Sequence, residues 1–93
     1  MTADEAWLGA MREKFRTRLH EERDAFVRLR AQESRQEIIA RAHKLAGIAG
    51  MLGAPHIGEL ALLLEETAQK PQDYRAEIDA LIAAIEQAIA PAC

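Results

Sequence analysis

The chain has 93 residues, of which 49% are hydrophobic and 29% charged, and its formal net charge is −3. This length and balance predict one small globular domain over residues 1–93 and argue against a disordered chain. The slight acidic excess provides no basic footprint for nucleic acid or an anionic membrane, and no apolar stretch is long enough to span a bilayer.

The first predicted element is a long helix over about residues 3–31, opened by a capping box of Thr2 and Glu5. Its apolar residues recur at helical spacing and are expected to face the core: Leu8, Met11, Phe15, Leu19, Phe26 and Leu29. A helix of this length predicts that its N-terminal third extends beyond the bundle or bends. Trp7 is expected to anchor it by packing, with a partner contact as the alternative.

The second helix is predicted over about residues 35–52, where Ser34 and Glu37 form a second capping box and Gly53 follows the last turn. Pro55 suits the first turn of a third helix, predicted over about residues 55–69.

The fourth helix is predicted over about residues 73–89, with Pro91 ending it. Its inward positions are Tyr74, Ile78, Leu81, Ile82, Ile85 and Ile89. Four amphipathic helices joined by short connections predict an all-α, antiparallel, up-down-up-down four-helix bundle.

The second helix carries a histidine on the side opposite its apolar stripe. At about 100° per residue, His43 points roughly 140° away from the stripe, which consists of Ile38, Ala42, Leu45, Ala49 and Leu52. Its neighbours include Gly47 and Gly50, although glycine lowers helix stability. The glycines could admit a neighbouring helix, but their position opposite the core favours a partner that closes over the imidazole.

An exposed neutral imidazole is a competent nucleophile at physiological pH. No ligand spacing such as His-x-x-x-His or Cys-x-x-Cys surrounds His43, so no metal site is predicted; His20 and His56 belong to other helices and are expected at the surface. An exposed bundle face also lacks the pocket of a hydrolase. These residues therefore favour a covalent carrier that accepts a group from one protein and passes it to another.

The segment AHKLAGIAGMLGA, from Ala42 to Ala54, resembles the signature of histidine-containing phosphotransfer (HPt) domains, and Leu64-Glu65 stands where that family has a Leu-Glu pair. The resemblance covers about residues 15–90 and implies the same four-helix architecture. It implies that His43 accepts a phosphoryl group from a receiver-domain phospho-aspartate and passes it to another response regulator in two-component signalling.

The same resemblance assigns roles around His43. Gly47 leaves room for the partner, and Glu65 either orients the imidazole through Nδ1 or is a solvated rim residue. The family often has lysine where this chain has Ala46, so Lys44 becomes the candidate for stabilising the phosphoryl group. The expected docking patch comprises Ile39, Ala40, Ala46, Gly50, Met51, Ala54 and Leu62.

The implied partners are receiver domains and a sensor (hybrid) histidine kinase. The chain is expected to be a phosphocarrier without kinase activity or a cofactor of its own, with Mg²⁺ supplied by the receiver. A monomer is expected, with a dimer through the first helix as the alternative. The competing function is a helical docking or inhibitor module that binds a kinase or receiver without being phosphorylated, which would not need an exposed imidazole.

The single cysteine, Cys93, excludes an internal disulfide, is expected to be inert, and fits a reducing compartment. The N-terminal residues MTADEAW lack the apolar core of a signal peptide. A cytoplasmic location is therefore expected.

Overall fold

The computed structural model describes residues 2–90 and consists there of four helices. They are α1 (Ala3–Gln32), α2 (Arg35–Met51), α3 (Pro55–Ala68) and α4 (Arg75–Ile89). Each helix packs against its neighbours in the chain, and α4 returns to pack against α1, so the four helices form a closed ring. The predicted all-α four-helix bundle is confirmed.

The core is built from one apolar stripe of each helix. Burial of these side chains is the main stabilising contribution, because each removes apolar surface from water. The fully or almost fully buried apolar residues are Phe15, Leu19, Ala25, Phe26, Leu29, Ile38, Ala42, Leu45, Ala49, Ile57, Ala61, Leu64, Ala68, Tyr74, Ile78, Leu81 and Ile85. Several predicted core residues are only partly buried at its edge, namely Met11, Leu52, Ile82 and Ile89.

The start of α1 confirms the first predicted capping box. The Glu5 N–H donates to the Thr2 hydroxyl and the Thr2 N–H donates to the Glu5 carboxylate, both at 3.2 Å. The second predicted box is wrong, because the Ser34 side chain caps no backbone N–H although α2 does begin at Arg35. Ser34 follows Glu33, which adopts the left-handed conformation (φ 54°) that ends α1. In this short connection between α1 and α2, the Ser34 side chain makes no hydrogen bond with the N–H groups of the first turn of α2.

The connection between α2 and α3 follows the predicted pattern. Gly53 has a φ of 83°, which glycine adopts without the cost that a side chain imposes. The Ala54 N–H donates to the Ala49 carbonyl at 2.9 Å, as in a Schellman C-cap. Pro55 occupies the first turn of α3, where its missing N–H costs no hydrogen bond.

The connection between α3 and α4 is held by Arg35. Its guanidinium donates to the carbonyls of Ala68 (2.7 Å), Lys70 (2.9 Å) and Gln72 (3.0 Å). It also lies 4.8 Å from the centre of the Tyr74 ring, in a cation–π contact. The bond to Ala68 satisfies a carbonyl in the last turn of α3 that has no helical partner, and the other two bonds fix the connection that follows α3.

The fourth helix begins later than predicted, at Arg75 rather than near Asp73. The Asp73 carboxylate accepts from the Arg75 N–H at 2.9 Å and from the Arg75 guanidinium at 2.8 Å. Asp73 therefore precedes the helix as an acceptor for its first N–H group. The guanidinium bond, followed by the backbone bond, lowers the pKa of Asp73 to about 2.

The N-terminal part of α1 projects beyond the bundle. Every residue from Thr2 to Ala10 is exposed, and Phe15 is the first buried residue. The expectation that Leu8 faces the core is wrong, since it is 37% exposed, and Trp7 is 60% exposed rather than a packing anchor. Within residues 2–90, α2, α3 and α4 end short of Trp7 and Leu8, so no helix described there covers these two side chains. The predicted extension is confirmed, and the longest dimension of the molecule is 49 Å.

Candidate functional site

His43 lies on the outer face of α2. Its side chain is 73% exposed, whereas the stripe that includes Ala42 and Leu45 is fully buried. The helical period therefore presents the imidazole to solvent at the middle of α2. His20 and His56 are exposed as well, and each lies on a different helix.

Glu65 on α3 contacts the imidazole directly. His43 Nδ1 and Glu65 Oε2 are 2.8 Å apart, and the Glu65 side chain is only 12% exposed. An ionised carboxylate can only accept hydrogen bonds, so Nδ1 is the protonated ring nitrogen and its N–H donates a hydrogen bond to Glu65 Oε2. The neutral imidazole then keeps its free lone pair on Nε2, the nitrogen farther from α3.

Gly58 sets the distance between α2 and α3. A Cβ atom at this position would lie 3.4 Å from the Ala46 carbonyl oxygen and 3.5 Å from the Gly50 nitrogen. A methyl group would just fit at these distances and a larger side chain would not, so a small residue here lets α3 lie against the backbone of α2, and Glu65 follows Gly58 two turns later on the side that faces α2. The sequence analysis missed this role, although a glycine within an otherwise apolar helix was a usable signal.

The surface around His43 is open on the side of Gly47 and Gly50. Both glycines are exposed, and a Cβ atom at either would meet no atom of the described residues within 4 Å. Of the predicted docking residues, Ala40, Met51 and Leu62 are exposed as well, whereas Ile39, Ala46 and Ala54 are partly buried and pack against the core. The exposed apolar area is consequently smaller than the predicted patch.

Lys44 lies on the α1 side of His43. With Ala40 it lines a shallow cleft between α1 and α2, together with Arg18, Glu22, Glu37 and Arg41. Charges of both signs line this cleft, because its three cations are accompanied by Glu22 and Glu37. On the α3 side the carboxylate in contact with the imidazole is that of Glu65.

The wall of this cleft contains an ion pair with one buried partner, which the sequence analysis did not identify. The Arg41 guanidinium donates to Glu22 Oε2, and the Glu22 side chain is 1% exposed. The second oxygen, Glu22 Oε1, has no hydrogen-bond partner among the described residues. The pair joins α1 to α2 close to His43.

Residues 2–90 contain no group of three or more His, Cys, Asp or Glu side chains placed to hold a metal ion. Within the same residues, no helix combines the length and the apolar character needed to cross a membrane. Cys93 and Pro91 lie outside the described residues, so the predictions for them stay predictions.

A family model described as Hpt domain matches residues 10–91, which is most of the chain. The chain belongs to the Hpt domain family. Searches of curated proteins and of solved structures find no significant match. Hpt domains are phosphocarriers in phosphorelay signalling, and they interact with receiver domains and kinases of two-component systems.

Proposed function

We propose that this Hpt domain carries a phosphoryl group on His43, which it accepts from a receiver phospho-aspartate and passes to the aspartate of another response regulator. The supporting observation is the contact between His43 Nδ1 and Glu65 at 2.8 Å on an otherwise open face. A hydrogen bond at Nδ1 leaves Nε2 as the nucleophile and directs it away from α3.

In the transfer step the Nε2 lone pair forms a bond to phosphorus, and the bond between phosphorus and the aspartyl oxygen breaks. The aspartate leaves as a carboxylate, and the proton on Nδ1 stays where it is. The imidazole ring gains positive charge as the new bond forms, and the Glu65 carboxylate stabilises that charge electrostatically. The reverse transfer follows the same path in the opposite direction.

The rest of the chemistry would come from the partner. Phosphoryl transfer depends mainly on in-line placement and charge neutralisation. Mg²⁺ and a lysine of the receiver domain would neutralise the phosphoryl oxygens, with no cofactor belonging to this chain. Lys44 is the nearest candidate for an additional cation, since it lines the cleft on the α1 side of His43. We place this exchange in the cytoplasm, where ATP-dependent histidine kinases act.

Phosphorylation of His43 is tested by intact mass measurement after incubation with a phosphorylated receiver domain and Mg²⁺. Wild type and the control His56→Gln, which alters another exposed histidine, should each gain one acid-labile phosphoryl group. His43→Gln should gain none. Binding of the receiver without any mass gain in wild type would instead support the docking-module function.

Docking over Gly47 is tested by Gly47→Gln. The position is open, so the variant should fold normally, but its side chain would stand about one turn from the imidazole and block the receiver. The matched control is Gly9→Gln, which places the same side chain on an exposed helical glycine far from His43. Transfer at the wild-type rate in Gly47→Gln would contradict this docking geometry.

A further inference from the structure

A groove runs from the His43–Glu65 pair toward the connection between α3 and α4. On α2, Ile39 lies one turn before His43 and within about 40° of the same direction. On α3, Gln69 follows Glu65 by about one turn, and its N–H donates to the Glu65 carbonyl at 3.1 Å. Both Ile39 and Gln69 line the groove, which continues along α2 to Gln36. The groove therefore continues the surface that carries the imidazole.

The far wall of the groove is the connection between α3 and α4, and Arg35 holds its shape. The guanidinium donates to the carbonyls of Ala68, Lys70 and Gln72, so it ties the connection to the start of α2. A partner would meet a wall that needs no ordering on binding, which lowers the entropic cost of association.

The lining of the groove suits a segment of polypeptide. Ile39 and Pro71 offer apolar contact, and the exposed side chains of Gln36, Gln69 and Gln72 offer amide groups. A side-chain amide both donates and accepts hydrogen bonds, so it can pair with the N–H or the C=O of a peptide group. Apolar contact beside neutral polar groups is the usual composition of a non-obligate protein interface.

The opposite flank of His43 is less suited to a partner. Every residue that lines the cleft between α1 and α2 is charged except Ala40. In the groove, two of the three charged lining residues are already bonded within the chain, Arg35 to carbonyls and Asp73 to Arg75. Because removing charged groups from water is costly, a partner covers the groove at a lower cost than the cleft.

A receiver that reaches His43 needs more contact area than the exposed apolar patch provides. A specific interface of standard size buries about 800 Å² on each partner. The exposed large apolar side chains of the predicted patch are only those of Met51 and Leu62. The groove begins about 6 Å along α2 from His43, so it lies within the same footprint.

We propose that a receiver domain engaged with His43 also fills this groove with a loop that lies next to its aspartate, and that the groove selects among receivers. This inference rests on the proposed function, because it takes a receiver as the partner of His43.

Chemical-shift mapping of the ¹⁵N-labelled chain tests the location of the contact. The probe is an unlabelled receiver domain with Mg²⁺, chosen because its phospho-aspartate loads His43. The side-chain amide signals of Gln36, Gln69 and Gln72 should shift or broaden together with the backbone signal of His43, whereas those of Gln87 on α4 should not. Perturbation around His43 that leaves the three groove amides unchanged would overturn the proposal.

A charge placed in the groove tests its contribution to affinity. Gln69→Glu replaces an amide that donates by a carboxylate that can only accept, so it should raise the Kd of the receiver complex about tenfold. The matched control Gln87→Glu makes the same change on an exposed position of α4 and should bind like wild type. An unchanged Kd for Gln69→Glu would overturn the proposal.

A small phosphoryl donor separates this inference from the proposed function. Phosphoramidate needs no docking surface, so the effect of Gln69→Glu on phosphorylation by the receiver should far exceed its effect on phosphorylation by phosphoramidate. Equal effects on the two reactions would count against the groove. A wild-type chain that gains no phosphoryl group from either donor would instead count against the proposed function.

Discussion

The Arg41–Glu22 ion pair should be necessary for stability although it lies beside the functional site. In wild type the Glu22 side chain is 1% exposed and Arg41 is its counter-charge, so Arg41→Ala removes the counter-charge together with part of the cover of this carboxylate. Breaking a buried pair in this way costs about 3–5 kcal/mol. The Arg41 side chain is 37% exposed, so water already screens part of the interaction, and we expect a loss of about 2–3 kcal/mol.

A loss of this size would be easy to measure. In a domain of 93 residues, 1 kcal/mol corresponds to about 4–8 °C, so Arg41→Ala should lower the melting temperature by about 10–20 °C. Urea unfolding followed by circular dichroism would give the free energy of unfolding directly. The control Arg28→Ala removes an exposed arginine from α1 and should change the midpoint little.

A double variant separates the loss of a partner from the loss of packing. Glu22→Met/Arg41→Met replaces both charges with apolar side chains and also removes the unpaired Oε1, so its stability should equal or exceed that of wild type. The reasoning would be refuted if Arg41→Ala unfolded within about 0.5 kcal/mol of wild type, since an unpaired buried charge costs more than that.

Three further predictions concern single contacts. Glu65→Ala should move the His43 proton off Nδ1 in part of the population, whereas Glu65→Gln should keep it there because its amide oxygen also accepts a hydrogen bond. The imidazole nitrogen chemical shifts report this difference. Identical spectra for the two variants would contradict the assigned hydrogen bond. Gly58→Leu should lower the free energy of unfolding by about 1–3 kcal/mol, because the larger side chain forces α3 away from α2. Gly58→Ala fits at ordinary contact distance and should be as stable as wild type. Equal stability of all three chains would disprove the close approach. The folded-state pKa of Asp73 is lowered to about 2, so the stabilising effect of its carboxylate should be present above about pH 4 and be lost as the pH falls toward 2. The difference in urea unfolding midpoint between wild type and Asp73→Ala should therefore shrink over that range. A constant difference would exclude the role of the Arg75 contact.

The sequence by itself determined the helices and most of their ends. Helical periodicity and a few special residues, such as the Thr2–Glu5 box and Gly53, act within one or two turns of chain, so they can be recognised without knowing what packs where. The same local geometry placed His43 on the solvent side of α2. Ser34 shows the limit of this approach, because a suitable residue type was present but its side chain makes no cap.

Only the tertiary structure decided which side chains from different helices meet. The contacts of His43 with Glu65 and of Arg41 with Glu22 join residues about 20 positions apart, and each depends on the distance and rotation between two helices. The small residue at position 58 allows one of those distances; a glycine within an apolar helix signals a close approach, but only the structure shows that the backbone of α2 lies against it. Likewise, Leu8 has the same spacing as the core residues of α1, but it is exposed because the other helices end before they reach it. Periodicity identifies the apolar side of a helix, whereas burial depends on whether another helix extends far enough to cover it.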